Sequence, residues 1–255
     1  MKQISRKMRR TILAWCGLLA VCMVLVLLVI SGRLWFNMPS RSRYPVRGVD
    51  VSHYQGSIDW ETIAAQDMTF AFIKATEGSG TVDECFASNW ENARKAGIYA
   101  GAYHFFSFDS GGDTQAENFI ATVPFAEDAM PPVIDLEYYR SHDLPATETV
   151  QKNLRIMLDA LTRYYGKTPI IYTTNQCYEE YLKDTDMEYI LWIRSVFTPP
   201  SSALEPAWSF WQYNPRGLLE GYEGDEQFID LNAYCGTMED FTKQFGTPAA
   251  APKGE

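Results

Sequence analysis

Asp135 and Glu137 stand two residues apart in the run PPVIDLEYY (131 to 139). Side chains two apart on a β-strand point to the same face. The two carboxylates therefore project together, while Ile134 and Leu136 face the opposite way into apolar packing. Like charges at close range push pKa values apart, leaving one group protonated near neutrality and its neighbour ionised. A protonated acid beside a carboxylate is the equipment of a glycosidase. An isolated Asp-x-Glu proves little, because strand-end acids also form ion pairs or cap the next helix. Two further acids change the balance: Asp50 follows Val49, and Asp230 sits between Ile229 and Leu231. A lone carboxylate in an apolar strand is costly unless it is paired or lines a wet cleft.

Aromatic and polar side chains gather at the same strand ends: Tyr103, His104, Tyr172, Trp192, Trp211 and Gln212. Flat apolar rings beside polar groups suit the faces of pyranose sugars, so an acidic cleft with aromatic walls reads as a carbohydrate site. Trp192 and Trp211 are the expected sugar platforms. Other chemistries lack their residues. The three histidines, His53, His104 and His142, form no HExxH, which argues against a zinc peptidase. No serine occupies a GxSxG elbow, and Cys177 has no evident histidine partner. No metal or cofactor is expected. Lys74 and Glu77 in IKATEG read as an ion pair supporting the rim.

These residues must be positioned by alternating strands and helices, the pattern of parallel β/α architecture. Strand candidates cover residues 47–52, 69–76, 98–106, 131–138, 168–174, 189–195, 208–213 and 227–234. Eight strands predict a closed barrel with its active-site mouth at their C-terminal ends, and closure sets strands one and eight side by side, bringing Asp50 beside Asp230. Helical segments are expected at 59–66, 83–96, 113–122 and 147–165; the last places Val150, Leu154, Leu158 and Leu161 at helical spacing behind a Thr147 cap. Residues 175–182 allow a short helix, and the later Pro- and Gly-rich connections show no helical period. The fold class is thus α/β, an irregular TIM-like barrel of eight strands with fewer helices and some late hairpins. A doubly wound open sheet is the alternative, but no Gly-rich phosphate loop follows any strand.

The ordered set DVSHYQG (50 to 56), IKATEG (73 to 78), GAYHF (101 to 105), IDLE (134 to 137), IYTT (171 to 174), LWI (191 to 193), FWQY (210 to 213) and IDLN (229 to 232) closely resembles the family 25 glycoside hydrolases. These are the N-acetylmuramidase lysozymes of bacteria and phages. The resemblance implies hydrolysis of the β-1,4 bond between N-acetylmuramic acid and N-acetylglucosamine in peptidoglycan. It assigns Glu137 as the proton donor, Asp135 as its partner, and Asp50 and Asp230 as the other cleft acids. One departure is LWIR, where a small residue commonly follows; Arg194 introduces a long cation. The competing functions are a catalytically silent peptidoglycan-binding module and a chitinase-like hydrolase of N-acetylglucosamine polymers.

Charge is divided unevenly along the 255 residues. Residues 1–47 carry nine of the 22 Lys and Arg and none of the 32 Asp and Glu, leaving the remainder at −19. So acidic a body disfavours nucleic acid as a partner. Residues 1–10 form a basic segment and 11–30 an uncharged stretch of 20 residues, the length of a transmembrane helix. A cleaved signal peptide has a shorter apolar region ending at small residues, so an uncleaved anchor is expected. The leading basic cluster would stay in the cytoplasm, with the barrel outside the cell membrane; Arg33, Arg41, Arg43 and Arg47 blur that signal. Residues 31–46 read as a stalk, 47–245 as the catalytic barrel and 246–255 as a tail. Five widely spaced cysteines imply no disulfide framework.

Overall fold

The apolar run after the basic cluster becomes one helix, α1 (Arg6–Ile30), whose first turn is capped by the Ser5 hydroxyl accepting from the Met8 amide. In the computed structural model, which describes residues 5–138 and 146–248, the chain divides into two units, Met1–Phe36 and Asn37–Glu255. None of α1 is buried, and its 25 residues are long and apolar enough to cross a membrane. Length and composition of this kind suit a membrane anchor or a signal segment alike.

The second unit is built on eight strands: β1 (Arg47–Val51), β2 (Phe70–Glu77), β3 (Tyr99–Phe105), β4 (Val133–Leu136), β5 (Ile170–Thr174), β6 (Ile190–Arg194), β7 (Trp208–Gly217) and β8 (Ile229–Tyr234). Each pairs with the next, and β1 pairs with both β2 and β8, so the sheet closes into a barrel. Every neighbour is parallel except β8, which runs antiparallel to β7 and β1. That reversal is the late hairpin expected from connections too poor in helical period to make a crossover. Helices accompany the first half: α2 (Trp60–Ala65), α3 (Phe86–Lys95), α4 (Gly112–Thr122) and α5 (Thr147–Tyr165). After β5 there are short helical turns over Asn175–Cys177 and Tyr178–Leu182.

Strand alternation creates two apolar layers. Outward side chains such as Ile134, Leu136, Ile171 and Ile193 pack under the helices. Inward ones, Phe70, Phe72, Val133, Trp192 and Phe210, fill the barrel. Gly48 makes room for this filling, since a Cβ there would lie 2.4 Å from the Phe70 ring. The bottom is closed by α6 (Met238–Phe245), an element absent from the expected helices. Its capping box pairs Thr237 with Asp240, and its Phe241 ring meets Tyr99 at 4.9 Å, Tyr234 at 5.1 Å and Phe70 at 5.7 Å.

Residues 37–46, expected within the stalk, lie on the barrel. Asn37 is buried and donates through Nδ2 to the Ser195 carbonyl at 2.8 Å; the Pro39 carbonyl accepts from Arg47 at 2.6 Å; and the Tyr44 ring packs on Trp208 and Trp211. Of the expected tail, residues 249–255 lie outside the described residues, as do residues 1–4 of the basic segment.

Removing the Phe241 ring empties the closed end of the barrel. Phe241→Ala is expected to lower unfolding stability by about 3–5 kcal/mol, the cost of a large buried aromatic lost from a core, read as a reduced denaturation midpoint of the full chain in detergent micelles.

Candidate active site

Period-two alternation on β4 sends Val133 and Asp135 inward and Ile134 and Leu136 outward, as the sequence pattern requires. Glu137 follows on the inward side just past the strand end. Both acids open onto a cavity of about 330 Å³ at the mouth opposite α6, which Asp50 and Asp230 also line. Asp50 and Asp230 are direct register partners across the β1–β8 seam. Barrel closure thus gathers four carboxyl groups from three strands.

A small amide network organises the seam. Gln212 Nε2 donates to Asp50 at 3.0 Å and to Asp230 at 3.2 Å, and its Oε1 accepts from the Tyr172 hydroxyl at 3.0 Å. Asn232 Nδ2 donates to Asp50 at 2.7 Å, while Asn232 Oδ1 accepts from Trp192 Nε1 at 2.9 Å. Asp50 is therefore the best solvated of the four by protein donors. Asp135 is the least: it is 8% exposed, and its Oδ1 is buried without a hydrogen-bond partner among the described residues.

These environments order the proton affinities. Burial pushes Asp135 well above the usual carboxylate range, and the charges of Glu137 and Asp50 push it further, against the pull of Lys74. Burial also raises Glu137, with Arg194 opposing the rise and Asp50 adding to it. Asp230 is driven well up by burial and by Asp50. Asp50 is raised by burial as well, but the Asn232 and Gln212 donors offset part of that. Burial and the surrounding carboxylates push the Tyr103 and Tyr172 phenols well up, so both keep their protons, and Tyr172 donates a hydrogen bond to Gln212. The cleft can hold protonated and ionised carboxyl groups side by side at neutral pH, which is what acid catalysis needs.

Of the residues singled out by sequence, Asp50, Tyr103, Asp135, Glu137, Tyr172, Trp192, Gln212 and Asp230 line this cavity. Two do not. His104 follows Tyr103 on β3 and so points through the opposite face, where its ring nitrogens pair with Thr76 Oγ1 at 2.7 Å and Gln115 Oε1 at 3.0 Å. Burial lowers its pKa to about 4, so it is a neutral packing residue under α4. Trp211 likewise faces away from its neighbour Gln212; it packs with Tyr44, Trp208 and Tyr213 and donates Nε1 to the Ser195 carbonyl at 2.8 Å. Trp192 does border the cavity, but it is 2% exposed with its ring against Phe72 at 4.3 Å, a floor instead of a sugar platform. His53 pairs with Asp83 at 2.8 Å, and His142 lies outside the described residues.

Sequence reasoning missed Asn232 and Lys74 as parts of this site. Asn232 was within reach, because it stands two residues beyond Asp230 on the same strand face. Lys74 does pair with Glu77 at 2.7 Å, as expected, yet it also lines the cavity. Lys74 keeps the phase of the inward Phe70 and Phe72, so period-two counting from those rings places it in the cleft; the bulge between Lys74 and Thr76 changes the alternation only beyond it.

The model of the glycosyl hydrolases family 25 matches residues 49–222. A family 25 glycosyl hydrolase from Bacillus anthracis has a similar structure, with a TM-score of 0.76 and 50% sequence identity over 81% of this chain and 96% of that one. Lysozyme M1 of Streptomyces globisporus is 35% identical over 206 residues, covering 75% of this chain and 68% of its own. YegX of Escherichia coli K12, an uncharacterized protein, is 36% identical over 77% of this chain and 72% of its own.

The crowded carboxyls carry a stability consequence. A carboxyl whose folded pKa is raised above its unfolded value favours the folded state fully below the unfolded pKa, and that advantage is lost as pH rises through the folded value. Asp135→Asn should therefore raise the melting temperature at pH 7, by about 2–4 °C for each kcal/mol relieved in a domain of this size. The gain should vanish near pH 4, where the wild-type carboxyl is already protonated. A variant no more stable at pH 7 than the wild type would contradict the raised proton affinity.

Proposed function

The chain belongs to the glycosyl hydrolases family 25, and on that premise we propose that Glu137 is the proton donor and Asp135 its catalytic partner. The protein is a glycoside hydrolase, a muramidase of the lysozyme type acting on peptidoglycan. The observation that carries the residue assignment is the convergence of Asp135 and Glu137, from one strand face, with Asp50 and Asp230 on one cavity.

In the proposed reaction the bond cut is the β-1,4 link from N-acetylmuramic acid to N-acetylglucosamine. Glu137 gives its proton to the glycosidic oxygen as the bond to the anomeric carbon breaks. The substrate's own 2-acetamido carbonyl attacks that carbon from the opposite face, a known exception to direct carboxylate attack. Asp135 accepts a hydrogen bond from the acetamido N–H through the Oδ1 that lacks a partner among the described residues. A donor at that oxygen favours the ionised form, so substrate binding moves the shared proton from Asp135 toward Glu137. Water then adds to the anomeric carbon, giving its proton to the Glu137 carboxylate, and the configuration is retained.

The apolar α1 is an anchor or a signal segment, and a cell-wall hydrolase works outside the cytoplasm. We take α1 as an uncleaved anchor with the basic cluster Arg6, Lys7, Arg9 and Arg10 on the cytoplasmic side, consistent with the positive-inside tendency. An anchor of this kind limits cutting to glycan near the membrane.

Glu137→Gln should lose about 10²–10⁴-fold in wall-clearing rate, the usual contribution of general acid catalysis, in a turbidity assay on purified walls. Near-normal turnover would remove Glu137 from the role, and a wild type that clears nothing would indicate a binding module. Reducing-end analysis should find N-acetylmuramic acid; N-acetylglucosamine there would indicate chitinase-like cutting. NMR of the first-formed anomer should show β; an initial α product excludes the retaining route. Because Glu137 must be protonated and its pKa is raised, kcat/KM should decline on the alkaline side at a pH above the usual glutamate range.

A further inference from the structure

Arg194 stands where β6 reaches the barrel mouth, in register with Thr174 of β5 and Gln212 of β7. Two residues after the inward Trp192, it shares that residue's face of the strand. Its charge acts on Glu137, Asp50 and Asp230 together. A second cavity, of about 570 Å³, adjoins Glu137 as the cleft does. Glu137, Thr174, Asn175, Gln176, Arg194 and the 69%-exposed Phe197 help to line it. The two cavities share Glu137, so a ligand group in the second sits next to the bond that Glu137 protonates.

The electrostatics of this second space differ from those of the cleft. Glu137 is the one carboxylate among its described lining residues, and in the form ready to act as an acid Glu137 is neutral. The remaining wall is amides, hydroxyls, the Tyr138 and Phe197 rings, Val196 and one guanidinium. The other cation of the mouth, Lys74, is held by Glu77 at 2.7 Å. Among the described residues no carboxylate lies within ion-pair distance of Arg194. A half-buried guanidinium without an ion-pair partner among the described residues, facing a cavity walled by donors, is set up for a planar anion that it can hold by two parallel hydrogen bonds.

Building on the muramidase reading, we propose that Arg194 is a specificity-determining residue whose guanidinium binds a carboxylate carried by the glycan beside the scissile bond. Two parts of peptidoglycan supply that chemistry. One is the lactyl carboxylate of the muramyl residue, which is free only after the stem peptide has been cut from it by amide hydrolysis. The other is a carboxylate on the stem peptide itself. If the lactyl group is the partner, an amide-hydrolysing reaction must precede this one.

The test compares kcat/KM of the full-length protein on four glycan preparations. Two are peptide-free strands, with lactyl carboxylates intact or converted to neutral methylamides. Two are peptide-bearing strands, with stem carboxylates free or amidated. The wild type should favour the carboxylate-bearing member of one pair by about tenfold or more, as a charge-assisted hydrogen bond gives, and the pair that responds identifies the source. Arg194→Met should bring that ratio close to one, and Arg194→Lys should keep part of it. The ratio separates recognition from an effect on the acid: a change in Glu137 proton affinity alters both members of a pair alike. Equal wild-type rates within both pairs, or a preference that survives in Arg194→Met, would overturn the inference while leaving the muramidase assignment intact. Failure of the wild type to cut any of the four would instead remove the assignment on which it rests.

Discussion

Closure of the barrel forces four carboxyl groups into one mouth, and the rest of the site is a response to that crowding. Asp50 and Asp230 meet because β1 and β8 are neighbours across the seam, and Asp135 and Glu137 join them because strand alternation leaves them no other face. Water cannot solvate four such groups in so small a space, so their charges are settled by protons and protein donors. Gln212 and Asn232 serve the seam pair, which leaves Asp135 with an oxygen unpartnered among the described residues at the depth of the cleft. The asymmetry between a well-supported acid and a poorly supported one separates groups that share a residue type into different roles.

Such a mouth works against folding, and the opposite end of the barrel supplies the compensation. Phe70, Phe72, Phe210, Tyr234, Phe241 and Phe245 form a continuous aromatic plug, with ring centroids 4.9–6.3 Å apart among its contacts. Burial of each large ring contributes on the order of 1.5–3 kcal/mol, enough in sum to carry several raised carboxyls. The strands link the two ends rigidly, so an acid's position at the mouth is fixed by packing that never touches substrate. Trp192 shows the connection in one side chain: its ring belongs to the plug through Phe72, and its indole N–H orients the amide that supports Asp50.

Much of this was legible in the sequence because it depends on period-two alternation and on strand count. The eight strands, the inward pair Asp135 and Glu137 and the seam partners Asp50 and Asp230 all follow from those two rules. The same rule correctly applied would have excluded His104 and Trp211, since each adjoins an inward residue, Tyr103 or Gln212, and must face the other way. Their residue types, attractive for sugar binding, outweighed the geometry in the reading. The capping pattern of Thr237 and Asp240 was also available and announced α6. What sequence could not provide was distance-dependent: the bulge after Lys74 that turns Thr76 to the His104 side, and the packing of residues 37–46 onto β6 and β7. These depend on contacts between segments far apart in the chain, for which local pattern carries no signal.

The two cations at the mouth divide along the same line between support and function. Lys74 is neutralised by a partner three residues away and lies over the Phe105 ring at 5.2 Å, so its charge is spent locally and its pull on Asp135 is secondary to burial. Arg194 has no such partner among the described residues, and its influence reaches three of the four acids at once. A guanidinium cannot shed its proton to escape the cost of burial, so its charge persists whatever the acids around it do. It therefore holds down the proton affinity of Glu137 and keeps a fixed positive site beside it. Both effects act at the same bond, one on the proton that is transferred and the other on the ligand that receives it.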